Sequence, residues 1–388
     1  MSSTTPKQTL NRLTFIVAVQ WMGATLGLPL LPLFLENRGG TPTIVGYIMA
    51  AFSIAGLASQ FLTGRFADKH GRRPIMIIGL VVYGLASMTY LFPVNAPWFI
   101  ITRIFQGVSA GAIEVASMSA VSALFDETER GSAVSRIIAA QLGGMAFGPV
   151  AGALVSVQAL GWAFFASGVV SLLAATQTFR TNLGDKAYDP SPLPKLRWSQ
   201  QLIGAFIAAA GTGVLIGVYE TCWSLLMKTH HATTLDIRLS WTFFCLPWVL
   251  LSGFGGWLAD NANRRVVGTL GLINGAVFLA LYPHIHNPHL MVILGSFESI
   301  GASLSVPSIS SLMSEGSEHR EMSRRQGLNA TANTGALALS AAVSGYFFSI
   351  NESFPFTIGA IVSGALALST IWWWRNVKGN ISTKKVSQ

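Results

Sequence analysis

Apolar stretches of roughly twenty residues recur along the chain, separated by short polar connections. A helix rising about 1.5 Å per residue needs about 20 mostly apolar residues to cross the hydrocarbon of a bilayer. Twelve stretches have that character, at about 13–35, 43–66, 75–93, 97–123, 132–157, 160–180, 200–227, 237–259, 266–283, 288–313, 327–350 and 354–375. Each predicts one spanning helix. No small-residue cleavage site follows the first stretch, so it is expected to remain as a helix and not to act as a removable leader.

Composition narrows the class. Of 388 residues, 51% are hydrophobic and 11% charged, whereas soluble domains carry about 25% charged residues. An ordinary soluble enzyme and a disordered chain are both excluded. The net charge of +9 then depends on where the basic residues lie. Lys and Arg in short loops favour the cytoplasmic side. With both termini placed there, 21 of the 25 fall inside, Arg38, Lys228 and Arg238 fall outside, and Arg103 lies within a span. The charge therefore reports orientation, with lipid head groups as the anionic partner and no nucleic acid. A multi-pass protein of the cell (plasma or inner) membrane is expected.

Pro190, Pro192 and Pro194 preclude a continuous helix at mid-chain. The expected organisation is a six-helix bundle at 1–184, a cytoplasmic linker at 185–198 and a second six-helix bundle at 199–388. A repeat supports this. Gly64, Ala67, Asp68, Arg72 and Arg73 recur as Gly256, Ala259, Asp260, Arg264 and Arg265, at an offset of 192 residues.

The segment Gly64–Pro74, GRFADKHGRRP, resembles the loop signature of the major facilitator superfamily, departing only at Phe66. That resemblance covers nearly the whole chain. It implies an all-α membrane protein of 12 transmembrane helices, in two pseudo-symmetric six-helix bundles around a central cavity, with alternating access and both termini cytoplasmic. Gly64, Asp68, Gly71, Arg72 and Arg73, with Asp260 and Arg264 in the degenerate second copy, are expected to form a conformational latch.

Charges inside spans are costly, at about 2.5–3.5 kcal/mol on insertion scales. Four carry that cost: Arg103, Glu114, Glu220 and Glu298. They fall on spans 4, 7 and 10, which the resemblance places around the cavity. Arg103, Gly107, Gly111 and Glu114 share one helical face. The 16 Å or so between Arg103 and Glu114 forbids direct pairing, so Arg103 is expected to find water or an acid on another helix. A carboxyl group away from water favours its neutral form, and a nearby cation restores the charge. The three glutamates are thus candidate proton carriers. Tyr219 and Trp223 flank Glu220 and suit a lipophilic cation. Span 1 offers Gln20, Trp21 and Thr25 but lacks the acid that many relatives carry there.

Gly144, Gly148, Pro149 and Gly152 resemble the antiporter motif of drug:proton exchangers, with Ala153 in place of the final glycine. The implied function is proton-coupled efflux of lipophilic or cationic small molecules (multidrug efflux). The other readings are a metabolite or sugar carrier, or a lipid or glycolipid flippase, of the same fold. Sodium coupling stays open beside proton coupling. No nucleotide-binding loop is present, so no ATP-driven pump is expected, nor any enzyme activity. The proton gradient supplies the energy and no cofactor is expected. His284, His286 and His289 sit between Pro283 and Pro288 and read as a loop, not a metal site. Cys222 and Cys245 form no framework. A monomer is expected.

Overall fold

The computed structural model describes residues 5–125, 127–152, 154–179, 181, 183, 198–315 and 319–375. All regular structure among them is helical: α1 (Pro6–Leu26), α2 (Leu31–Glu36), α3 (Pro42–His70), α4 (Arg72–Met88), α5 (Phe99–Leu124), α6 (Glu127–Gly152), α7 (Leu160–Phe179), α8 (Gln200–Thr229), α9 (Thr234–Asn261), α10 (Arg264–Leu281), α11 (Pro288–Ser314), α12 (His319–Ile350) and α13 (Phe354–Trp374), with three short 3-10 turns. Of the predicted linker, residues 185–197 lie outside the described residues.

Every predicted span coincides with helix, but the first is two helices and not one. Pro29 and Pro32 are responsible. Pro32 has no N–H to offer the carbonyl four residues back, and the amides of Leu30 and Leu31 both turn to the Gly27 carbonyl. Among the described residues, nine helical segments are long and apolar enough to cross a bilayer, fewer than the twelve predicted. The helices that fall short are α1, the short α2, α6 and α12. Arg136 dilutes the apolar character of α6, and small polar residues such as Asn329, Asn333 and Ser340 that of α12. Large apolar side chains such as Phe15, Ile78, Trp162, Leu250 and Ile361 stand exposed, as a lipid-facing surface requires.

The chain groups into two compact units, residues 1–190 with 220–242 and residues 191–219 with 243–388. In the first, α1 packs on α6, α3 on α5 and α4 on α7; in the second, α10 packs on α11 and α13. A buried apolar cluster including Leu13, Val17, Leu80, Ile113 and Ile137 fills the first unit. The unit also takes in the end of α8 and the start of α9. There the Ser224 hydroxyl donates to the Pro29 carbonyl at 2.6 Å, where α1 breaks off. Lys228 pairs with Glu36 at 2.8 Å, and Arg238 donates to the Val155 carbonyl at 2.9 Å.

Glycines set the closest approaches. Gly144, Gly148 and Gly152 recur every four residues on α6 and lie directly on the α1 backbone. A Cβ at Gly148 would come within 2.7 Å of the Met22 carbonyl oxygen and crowd Thr25, while one at Gly152 would strike the Leu26 carbonyl. With no hydrophobic force between helices in lipid, such backbone proximity is how they associate. Gly335, on α12, meets nothing within 4 Å. The α12 seam is instead supplied from α8, where Gly213 and Gly217 lie against the Asn333 and Leu337 carbonyls.

Candidate functional site

The polar face of α5 turns onto α3. Gly107 and Gly111 sit against the Phe52 and Gly56 carbonyls, which brings both ends of the face to α3 side chains. Gln60 donates to the Glu114 carboxylate at 3.0 Å. Arg103 lies over the Phe52 ring at 4.5 Å and reaches Met49 Sδ at 3.7 Å and Gln106 Oε1 at 3.5 Å. It is 3% exposed, and its Nε has no hydrogen-bond partner among the described residues. No carboxylate among the described residues is bonded to it. Glu220, inside the same unit, is a carboxylate on which the Arg103 charge acts. Glu220 is half-buried.

Glu298 is held differently. The Tyr219 hydroxyl donates to one carboxylate oxygen at 2.7 Å and the Tyr282 hydroxyl to the other at 2.8 Å. The two rings meet edge to face at 6.2 Å. The Asn274 amide holds the Glu298 backbone carbonyl at 3.1 Å. Glu298 is 4% exposed, so this carboxylate sits in an aromatic enclosure whose donors, among the described residues, are neutral.

Sequence reasoning missed Tyr282, yet the repeat contains the signal. Shifted back by 192 residues, Tyr282 falls on Tyr90 and Glu298 on Gln106. Those two are also bonded, Tyr90 donating to Gln106 Oε1 at 3.4 Å, and Gln106 Nε2 donates to Ser87 at 2.9 Å. The same tertiary bond occurs in both units, with an amide in the first and an acid in the second.

The other candidates scatter. Trp223 is buried with its indole N–H on Ser240 at 2.7 Å. Gln20 is buried, accepts from Ser171 at 3.1 Å, and leaves its Nε2 without a partner. Trp21 packs on the apolar cluster of the first unit. Pro149 is accommodated inside α6. Among the residues predicted to form a latch, Gly71 has φ +85°, a conformation that favours glycine, and Arg72 Nε donates to Ser119 on α5 at 2.6 Å. Arg73 is half-buried beside it. The surroundings of Gly64 and the side chains of Asp68 and Asp260 lie outside the described residues. Arg264 donates to the Ala259 carbonyl and lies 3.8 Å from Glu315, which also accepts from Gln201 at 3.0 Å. Among the described residues, no group of three His, Cys, Asp or Glu could hold a metal.

The sequence profile of the Major Facilitator Superfamily matches twice, at residues 13–200 and 201–387. The chain belongs to this superfamily. It is a multi-pass membrane transporter, and transporters of the superfamily carry small molecules. Among its relatives in the superfamily is Multidrug resistance protein 2 of Bacillus subtilis (strain 168), 26% identical over 374 residues that cover 92% of this chain and 93% of the relative. Quinolone resistance protein NorA of Staphylococcus aureus (strain MSSA476) is 23% identical over 221 residues, covering 55% and 57%. Superfamily folds are also similar: the crystal structure of a nucleoside transporter, NupG, superposes with a TM-score of 0.76 at 12% identity, covering 94% of this chain and all of that one.

Proposed function

We propose that the protein exports lipophilic, often cationic, small molecules by exchange for protons. This reading takes the chain as twelve spans in two six-helix bundles, with both termini in the cytoplasm of the cell that bears it. The observation that carries the reading is the company kept by the three acids. Glu114 is bonded to an amide, Glu298 to two phenols, and Glu220 to no described group. None of the three forms an ion pair with a basic side chain among the described residues. A carboxyl group in a span with no ion-pair partner can be neutralised by a proton or by a cationic substrate, and the two then compete for one site. That competition is antiport in its simplest form. The α6 glycines on α1 and the multidrug-resistance relatives favour export over uptake.

The test is transport in proteoliposomes under an imposed pH gradient, with tetraphenylphosphonium as the probe. Wild type is expected to accumulate the cation only with the gradient, and Glu114→Gln, Glu220→Gln and Glu298→Gln are expected to divide into silent and uncoupled variants. Gradient-independent accumulation, or three fully active variants, refutes proton exchange.

A further inference from the structure

Resting on the antiport reading, we infer that Glu298, held by Tyr219 and Tyr282, is the coupling proton site, and that Tyr90–Gln106 is its non-titrating twin in the first unit. Tyr282 is thereby assigned as a positioning residue for proton exchange.

The argument starts from the repeat. Tyr90 and Gln106 are 16 residues apart, as are Tyr282 and Glu298. Each tyrosine is fully buried, with 0% exposure, and each donates its hydroxyl to the side-chain oxygen of its partner. A glutamine has the shape of a protonated glutamate but cannot release a proton. The first unit therefore holds permanently what the second unit can hold only in its protonated form. The setting agrees. Gln106 Oε1 also faces Arg103 at 3.5 Å; a glutamate there would be kept charged by the guanidinium and would exchange protons poorly. Among the described residues, Glu298 faces no such cation. The charged or titratable side chains that reach it from the packed elements are Tyr219 on α8 and Tyr282 at the end of α10, besides the neutral Asn274.

The two hydroxyls make proton exchange a local rearrangement. With Glu298 ionised, each phenol donates to one oxygen. When a proton arrives, the new carboxyl O–H donates to one phenol oxygen, and that phenol turns its own O–H away. No bond to a distant group has to form. Hydrogen bonds to a charged group are worth about 1.5–3 kcal/mol, so removing one hydroxyl changes the balance between the two forms by about tenfold or more.

Two measurements test this on the full-length protein. The first is tetraphenylphosphonium transport in proteoliposomes, scored as gradient-driven accumulation and as counterflow without a gradient, across a range of pH. Tyr282→Phe is expected to cut gradient-driven accumulation about tenfold and to move its pH profile. Tyr90→Phe is expected to leave the pH profile in place. Equal effects from the two tyrosines, or an unmoved profile in Tyr282→Phe, overturn the inference, because a merely structural hydroxyl behaves alike at both positions. The second is infrared difference spectroscopy of the purified protein during a pH titration. The carbonyl band of a protonated carboxyl should disappear in Glu298→Gln and shift in Tyr282→Phe. If those band changes occur but wild type shows no gradient-driven transport, the antiport reading fails and the proton site stands. If transport is gradient-driven but the band is unaltered in Glu298→Gln, the antiport reading stands and this assignment fails.

Discussion

Gly148→Ala adds one methyl group at a close approach in the α1–α6 seam. The new carbon would lie 2.7 Å from the Met22 carbonyl oxygen and 3.0 Å from the Leu26 nitrogen, with Thr25 Oγ1 closer still. Two of these three are backbone atoms, which no rotamer change can move. Thr25 Oγ1 is itself engaged, donating to the Trp21 carbonyl at 2.9 Å. Relief therefore requires the helices to part, and a gap of about 0.5–1 Å forfeits roughly a quarter to a half of each dispersion contact along the seam. Overpacking of this kind costs about 1–3 kcal/mol. Gly143→Ala, one residue earlier, is the control, since nothing lies within 4 Å of a Cβ there. Its expected effect is neutral, or a gain of up to about 1 kcal/mol from helix propensity. Thermal unfolding of the two purified variants in detergent, with transport measured alongside, reads the difference. A Gly148→Ala protein as stable and active as wild type would falsify the backbone-seam account, as would a Gly143→Ala protein destabilised to the same extent.

The remaining expectations concern other contacts. Ser224→Val leaves the buried Pro29 carbonyl without its donor and should cost about 1–3 kcal/mol in thermal unfolding. Lys228→Ala breaks an ion pair whose lysine side chain is 56% exposed and should cost under about 1 kcal/mol; the reverse order would show that the surface pair dominates. Gln60→Leu strips Glu114 of its amide donor and should lower gradient-driven transport more than counterflow; equal losses in both assays would point to misfolding. Asp68→Asn should abolish transport while membrane insertion, followed by surface labelling, stays intact; normal transport by that variant would dispose of the latch.

Much of the architecture was written in the period and placement of apolar residues. Eleven of the predicted stretches became single helices because continuous apolar runs leave the backbone no partner but itself. The first did not, although Pro29 and Pro32 stood in plain view; their effect depends on where the freed carbonyl goes, and Ser224, nearly two hundred residues later, is invisible to a local reading. The shared face of Arg103, Gly107, Gly111 and Glu114 was legible from helical spacing, but its neighbour was not. Spacing fixes a direction around one helix and says nothing of the helix it meets, so Phe52 and Gln60 came only with the fold. Tyr282 lies between these cases: it is a tertiary partner, yet the 192-residue repeat connects it to Tyr90 in the sequence alone.

The two seams carry a further lesson about inheritance. Gly148 and Met22, advanced by the repeat offset, become Ser340 and Val214, and the Ser340 hydroxyl bonds to the Val214 carbonyl at 2.9 Å. What descends through the duplication is a place where two backbones come near, and the glycines that permit it have migrated from one helix of the pair to the other. A contact of this kind is indifferent to which side gives way, so mutational drift can pass the small residues back and forth without disturbing the scaffold. Signatures tied to one helix will then lose sight of half of the duplicated architecture while its geometry persists.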